Sequence, residues 1–164
     1  MKLQEEIRYD APPADVAAML ADPAFVEDKC RATGALEQTV EVDGDASGAF
    51  TVTTVRHMPT DEFPDVAKKF VGDTVVIKQV DTWQAAQEDG SRSGDVRLKI
   101  AGAPVELLGT MALTPAGGGT VQELVGDLKA SVPLLGGKLE KAAAPAVLMA
   151  LRKEGEVGRE YLAG

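Results

Sequence analysis

Cysteine, histidine and aromatic residues are scarce in this chain of 164 residues. It has one cysteine, Cys30, and one histidine, His57, and aromatic residues make up 4% of it. A single cysteine cannot form an internal disulfide, and protein metal sites usually need several Cys or His ligands at fixed spacing. We therefore expect no disulfide framework, no bound metal and no cofactor, and a core built from small and branched aliphatic side chains.

The chain also lacks long apolar runs and an excess of basic residues. No stretch of about 18 apolar residues is present, which argues against a membrane-spanning helix, and no signal-peptide pattern precedes the first strand. The formal net charge is -9 and the pI is about 4.6, whereas nucleic-acid binding needs clustered Lys and Arg. These features predict a cytoplasmic protein with no membrane span and no nucleic-acid partner.

Length and composition fit one folded domain that covers residues 1–164. Hydrophobic residues form 45% of the chain and charged residues 26%, which is ordinary for a globular protein. A chain of this size buries roughly 70% of the surface that it exposes when unfolded. A stable core therefore needs no disulfide or metal to hold it.

Alternation of apolar and polar residues predicts a series of strands. The pattern begins with Leu3–Tyr9, and two short helices are predicted after it, at Ala14–Leu20 and Pro23–Arg31. Further strands, separated by Gly-, Asp- and Pro-containing turns, are predicted at Leu36–Val42, Ala49–His57, Val75–Trp83, Gly94–Ile100, Val105–Thr114 and Val121–Val132. The stretch Pro59–Gly72 is predicted to form either a single helical turn or a lid-like loop.

From Gly137 to the end of the chain the period of the pattern changes to 3.6, which predicts one long amphipathic helix. Pro145 lies inside it and is expected to kink it. The predicted apolar arc consists of Leu139, Ala143, Ala146, Val147, Ala150, Leu151, Val157 and Tyr161. Strands adjacent in sequence favour an antiparallel sheet, and the helix must bury its apolar arc on that sheet.

The segment from Gly126 to Lys141 carries a more specific pattern, with Pro133 at the end of a strand and Gly136–Gly137 at the start of the last helix. It resembles the corresponding segment of the START-like superfamily, also called SRPBCC. With the Arg152–Leu162 segment, it is similar to an uncharacterised actinobacterial branch of that superfamily, of unknown function. The resemblance covers the whole chain.

The resemblance implies an α+β helix-grip fold, in which a curved antiparallel sheet of about seven strands wraps around a long C-terminal helix. Two short helices follow the first strand. It also implies a cavity for a hydrophobic small molecule or lipid, with the last helix as one wall. It supplies no catalytic motif, since the pattern specifies architecture and not activity.

Strand alternation and the helical arc select candidate residues for the lining of that cavity. A shift of one residue in register would turn each strand residue to the opposite face of the sheet. The candidates are Phe50, Val52, Ile77, Trp83, Leu98, Leu107, Met111, Leu124, Leu139, Val147, Ala150 and Glu154.

Glu154 is the one charged candidate. If it faces the cavity, desolvation is expected to raise its pKa, and it then binds a ligand's polar head or acts as an acid. The alternatives are a salt bridge with Arg56, Arg97 or another strand residue, or a boundary position near the end of the helix. Trp83 similarly either lines the cavity or caps the core.

His57, Cys30 and the Gly117–Gly119 run have structural interpretations that compete with functional ones. A lone histidine at a strand end is more often solvated than catalytic. Cys30 is interpreted as a packing residue, although Arg31 beside it could lower its thiol pKa. The glycine run precedes a strand and not a helix, so a hairpin loop is favoured over a phosphate cradle.

Three functions remain open at this level. The leading hypothesis is a binding protein that encloses an apolar ligand between its sheet and its last helix. The first alternative is a cyclase-, dehydratase- or hydrolase-like enzyme that uses Glu154 or His57 as acid or base in the same cavity. The second is a non-enzymatic interaction domain that docks a protein partner.

Overall fold

The computed structural model describes all residues from Met1 to Gly164. Its strands are β1 (Lys2–Tyr9), β2 (Glu37–Gly44), β3 (Phe50–Pro59), β4 (Thr74–Trp83), β5 (Arg92–Ile100), β6 (Val105–Ala116) and β7 (Gly119–Ala130). Its helices are α1 (Pro13–Leu20), α2 (Pro23–Ala32), α3 (Asp65–Val71) and α4 (Gly136–Ala163).

The strands form one antiparallel sheet of seven strands in the order β1-β7-β6-β5-β4-β3-β2. Neighbours from β2 to β7 are also neighbours in sequence, and β7 pairs with β1, so only the β1 to β2 connection spans the sheet. The curved sheet and the long α4 form the helix-grip α+β fold, which confirms the predicted architecture.

Local sequence explains how several elements begin and turn. Asp22 caps α2, since its side chain accepts a hydrogen bond from the Ala24 backbone N–H at 3.0 Å, and Pro23 occupies the first turn. Gly117 and Gly118 form the two-residue turn between β6 and β7, with φ of +57° and +86°. Such left-handed values favour glycine, and the expected hairpin loop is confirmed.

The segment Pro59–Gly72 differs from both expectations, because it contains a helix longer than one turn, α3. Pro64, with ψ of 147°, precedes this helix and starts it. No residue of α3 is buried, although the helix packs against α4. Helix α3 is therefore attached to the fold by partly buried contacts only.

Helix α4 continues through Pro145, which lies on its exposed side. Its buried residues are Leu139, Ala144, Gly155 and Gly158. The predicted apolar arc is therefore wrong in part, since Ala146 is exposed and Tyr161 is 41% exposed. The buried stripe runs through glycines, which a search for apolar side chains does not detect.

The core divides into two clusters of buried apolar side chains. The larger, of 17 residues, joins the sheet to α1 and α2 and contains Phe25, Phe50 and Trp83. The smaller, of four residues, joins the sheet to the first half of α4: Leu3, Leu107, Leu128 and Ala144. The side of the larger cluster that faces α4 contains the charged groups described next.

Candidate functional site

A small cavity lies between the inner face of the sheet, the two short helices and α4. It encloses about 10 Å³, which is the lower limit for one water molecule. Its lining combines apolar side chains with charged and polar ones. The lining residues are Leu20, Lys29, Val52, Gln79, Asp81, Trp83, Met111, Gln122, Leu124, Leu151 and Glu154.

A buried ion pair joins two helices across this cavity. Nζ of Lys29 on α2 lies 3.1 Å from Oε1 of Glu154 on α4, and the two side chains are 11% and 13% exposed. Lys29 follows Phe25 and Val26 on the buried stripe of α2, and its Nζ lies 5.9 Å from the centroid of the Phe25 ring. The position of Lys29 on that stripe directs its charge inward.

The sheet adds three polar side chains on its inner face, at alternating positions of β3 and β4. Nε2 of Gln79 donates to both carboxylate oxygens of Asp81, at 3.0 and 3.1 Å. Nη2 of Arg56 donates to Oε1 of Gln79 at 3.0 Å. We call Lys29, Arg56, Gln79, Asp81 and Glu154 the polar cluster; it contains two cationic and two anionic side chains.

The charges of the polar cluster shift one another's pKa values. Burial lowers the pKa of Lys29, but the negative charges of Glu154 and Asp81 more than offset this, so the pKa is raised. Burial raises the pKa of Asp81, and the opposing effects of Lys29 and the Gln79 hydrogen bond only partly reverse that shift. Lys29 and Asp81 are therefore both desolvated, but only for Asp81 does the cost of burial outweigh the charges and hydrogen bonds around it.

Replacing Asp81 with asparagine isolates its contribution to the pH dependence of stability. Because its pKa is raised on folding, the folded protein binds this proton more tightly than the unfolded chain does, and the group favours folding increasingly as pH falls. Between about pH 7 and about pH 4, the free energy of unfolding of the unmodified protein should rise relative to that of Asp81→Asn. Urea denaturation at several pH values measures the free energy of unfolding of both proteins. A difference between them that does not change with pH would contradict a raised pKa for Asp81.

Three buried side-chain polar atoms lack a hydrogen-bond partner: the Tyr9 hydroxyl, Nε of Arg56 and Oε1 of Gln122. All three belong to or border the polar cluster, since Gln122 lines the cavity and Glu154 acts on Tyr9. Burial, together with the Glu154 charge, raises the pKa of Tyr9. A buried polar group without a partner costs about 1–3 kcal/mol, so the site has unused capacity for a polar ligand atom.

The structure brings some of the predicted cavity residues together and leaves others apart. Val52, Trp83, Met111, Leu124 and Glu154 line the cavity. The remaining candidates lie outside its lining: Phe50 in the larger core cluster, Leu107 in the smaller one with Leu98 and Val147 against it, Leu139 buried at the start of α4, and Ile77 and Ala150 half-buried.

Sequence reasoning missed six residues of the cavity lining: Leu20, Lys29, Gln79, Asp81, Gln122 and Leu151. The sequence did contain a signal for two of them, Asp81 and Lys29. Asp81 alternates with Gln79 and Trp83 on one face of β4, and Lys29 lies four residues after Phe25 on the apolar stripe of its helix. A charged residue at an apolar position of a strand or helix was the pattern to search for.

The expected partners of Glu154 were wrong. Its carboxylate pairs with Lys29 of α2, while Arg97 is exposed and Arg56 bonds Gln79. An arginine on the sheet was the natural candidate from strand alternation. The packing of α2 against α4 instead brings a lysine of a helix to this carboxylate.

His57 and Cys30 are not members of the polar cluster. His57 is exposed at the end of β3, beside an open surface depression of about 450 Å³ that includes Arg31 and Leu36. This depression is larger than the cavity, but it holds no buried charge. An acid or base role for His57 within the cavity is therefore wrong.

Cys30 is 1% exposed, and burial raises the pKa of its thiol. The positive charges of Arg56, Lys29 and Arg31 each lower this pKa, but burial outweighs them, so Arg31 does not activate the thiol. The packing interpretation of Cys30 is confirmed. No cluster of three or more His, Cys, Asp or Glu side chains is placed to hold a metal ion, and no helix is both long and apolar enough to cross a membrane.

Solved structures with this fold come from several sources. A protein from Thermus thermophilus is 15% identical, with a TM-score of 0.63 over 98% of this chain and 95% of that one. A STAR-related lipid transfer protein from Xanthomonas axonopodis is 14% identical, with a TM-score of 0.62 over 99% and 86%. At these identities the likeness shows the fold alone, and it confirms the helix-grip fold that the START-like resemblance implied.

Sequence relatives extend the comparison to the family. An uncharacterised protein from Mycobacterium tuberculosis is 27% identical over 108 residues, which span 63% of this chain and 62% of the relative's length. The family described as "Protein of unknown function (DUF2505)" matches residues 4–162. The match covers almost the entire chain, which therefore belongs to the DUF2505 family and has the START-like helix-grip fold.

Proposed function

We propose that this protein binds a hydrophobic small molecule or lipid between its sheet and α4, with the polar end of the ligand at the polar cluster. The observation that carries the proposal is the cavity itself, which apolar and charged side chains line together with Gln122, whose Oε1 has no hydrogen-bond partner. Ligand sites typically combine an apolar lining with a few convergent polar groups. The shared fold with a STAR-related lipid transfer protein is consistent with this.

Ligand entry requires the cavity to expand, since about 10 Å³ admits no more than a water molecule. The first half of α4 offers a route. Val147 and Leu98 are only half-buried there, and α3, which has no buried residue, packs against α4. Separation of α3 from α4 breaks few buried contacts, since no residue of α3 is buried, so we assign α3 the role of a lid.

The proposal places this binding in the cytoplasm. The one cysteine of the chain is buried and has no disulfide partner, a state that suits a reducing compartment. Purification of the protein from a cytosolic fraction under mild conditions should therefore preserve a bound ligand.

Native mass spectrometry of gently purified protein tests the proposal without a guess about the ligand. A reproducible non-covalent mass that disappears on denaturation supports it and gives the ligand's mass. The same sample is then titrated with the neutral fluorescent probe N-phenyl-naphthylamine. An adduct-free spectrum together with no probe binding would contradict the proposal.

Filling the cavity should abolish binding. Leu151→Trp places a larger side chain in the cavity lining, whereas Met149→Trp on the same helix places it at a position that is 66% exposed. We expect Leu151→Trp to weaken probe binding by about tenfold or more, and Met149→Trp to leave it unchanged. Circular dichroism checks that both variants fold. If Leu151→Trp does not fold, Leu124→Phe is the second cavity-filling variant.

Equal binding by a folded filling variant and the Met149→Trp control would place the probe elsewhere. That result would separate general surface adsorption from binding in the cavity. It would also redirect the search to the open depression beside His57.

A further inference from the structure

We propose that the loop of residues 132–135, which we call the α4-entry loop, docks this protein on the surface of an anionic lipid bilayer. The loop follows β7 at the end of the sheet where β3 and β5 also finish, and none of its residues lines the cavity. The proposal goes beyond the proposed function and does not depend on it, because docking needs no ligand in the cavity. Apolar exposure, backbone conformation and the flanking lysines support it.

The α4-entry loop exposes apolar side chains to water. Leu134 is 104% exposed, the highest value among the large hydrophobic residues on the surface, and Leu135 is 39% exposed. Leu134 is also the one residue other than glycine with a left-handed backbone, with φ of +67°. Glycine and asparagine adopt that conformation at lower cost than leucine. A leucine here therefore lowers stability and gains no packing, unless the loop meets something outside the protein.

Lysines flank the α4-entry loop on both sides. Lys129 lies near the end of β7, and Lys138 and Lys141 lie three residues apart on one face of the first turns of α4. All three are exposed, and none forms an ion pair. Next to an anionic bilayer, each lysine favours binding by about fivefold.

Carboxylates near the loop are fewer than the lysines. Asp127 lies opposite Lys2 in the β1–β7 register, and Glu106 lies opposite Lys129 in the β6–β7 register. Glu140 accepts a hydrogen bond from a backbone N–H of β7 at 3.1 Å. The surface beside the loop is therefore cationic on balance, although the chain has a net charge of -9, and salt screens exposed charges more than about 8 Å away.

A bilayer fits this surface better than a protein partner does. A stable protein interface covers roughly 800 Å² on each partner, and lysine is depleted from it, whereas four loop residues offer a small tip bordered by lysines. At a bilayer, the apolar tip enters the hydrocarbon and the lysines remain among the anionic headgroups. Transfer of one leucine out of water favours such binding by about tenfold or more.

Co-sedimentation with vesicles tests the proposal. Vesicles of equal parts phosphatidylcholine and phosphatidylglycerol are compared with vesicles of phosphatidylcholine alone. We expect the mixed vesicles to bind the protein about tenfold or more tightly, and to lose most of that binding when the ionic strength is raised from about 0.1 M to about 1 M. Equal binding to both kinds of vesicle, or none to the mixed vesicles, would overturn the proposal.

Two variants assign the binding to the α4-entry loop. Leu134→Asn removes the apolar tip with a residue that suits the left-handed backbone, and it should weaken binding to mixed vesicles about tenfold. The double variant Lys138→Gln with Lys141→Gln should weaken it by about tenfold or more. Met149→Ser is the matched control, at a position that is 66% exposed and about 20 Å further along α4, and it should bind as the unmodified protein does.

Leu134→Trp reports insertion directly. On mixed vesicles its emission should shift to the blue and resist acrylamide quenching, whereas Met149→Trp should stay accessible to the quencher; Trp83, 2% exposed, gives the same background in both. Equal effects of Leu134→Asn and Met149→Ser, in variants shown by circular dichroism to be folded, would contradict docking through the loop. Sedimentation velocity that shows a dimer dissociated by Leu134→Asn, without vesicle binding, would assign the loop to a second copy and overturn the proposal.

Discussion

Replacing Lys29 with methionine is expected to lower the free energy of unfolding by about 3–5 kcal/mol. The variant removes one partner of a buried ion pair and leaves Glu154, 13% exposed, next to Asp81 with no lysine between them. A buried carboxylate that loses its partner bears the full cost of its desolvation. Urea denaturation at neutral pH measures the loss.

Two further variants identify the source of this loss. Lys29→Met combined with Glu154→Met removes both charges of the pair, and we expect it to recover most of the stability, since apolar replacement of a buried pair is often close to neutral. Lys153→Met breaks the exposed pair with Glu156 and should cost about 0.5 kcal/mol or less. Equal losses for Lys29→Met and Lys153→Met would contradict the buried pair.

The raised pKa of Lys29 also predicts the pH range in which its contribution to stability is lost. Because it is raised in the folded protein, the contribution of Lys29 is fully present below the pKa of a lysine in the unfolded chain and is lost as pH rises through the folded value. The difference in free energy of unfolding between the unmodified protein and Lys29→Met should therefore be fully present at neutral pH. It should narrow only in strongly alkaline solution.

Gly158→Ala is expected to destabilise the protein by about 1–3 kcal/mol, although alanine favours a helix by about 1 kcal/mol over glycine. A Cβ at this position would lie 2.7 Å from Cε1 of Tyr9 and 3.1 Å from Cε of Met19. Both of these side chains are buried, so neither can move aside easily. The overpacking therefore outweighs the gain in helix propensity.

Gly137→Ala, in the first turn of the same helix, is the matched control. Nothing lies within 4 Å of a Cβ built there, so the substitution should leave stability unchanged or raise it by up to about 1 kcal/mol. Thermal and urea denaturation of both variants measure the two effects. A stabilised Gly158→Ala variant would mean that α4 does not pack as closely on β1 as the structure shows.

Much of the fold could be predicted from local patterns in the sequence. The alternation of Leu3–Tyr9 and of the later strands, the turn glycines and the Asp22–Pro23 helix start lead to the observed order of elements. Each of these signals depends on a residue and its near neighbours in the chain. Element bounds differ by a few residues because strand and helix ends depend on pairing and packing as well as on local pattern.

The buried face of α4 was predicted less well. Val147 and Leu151 were placed on the inner arc, but Ala146 is exposed, and Gly155 and Gly158 form the closest contacts. A glycine contributes no apolar side chain to a helical pattern. Its value here lies in allowing the backbone of α4 to approach Ile7 and Tyr9, which depends on where the helix crosses β1.

By itself, the sequence determined the class and order of the elements, because propensity, capping and alternation act between near neighbours. Only the tertiary structure decided the chemistry of the interior. Lys29 and Glu154 belong to two helices far apart in the chain, and Asp81 and Gln122 belong to non-adjacent strands. Such groups form a site only once the sheet curves around α4, since charges interact weakly in water and hydrogen bonds need direct contact, and burial strengthens both.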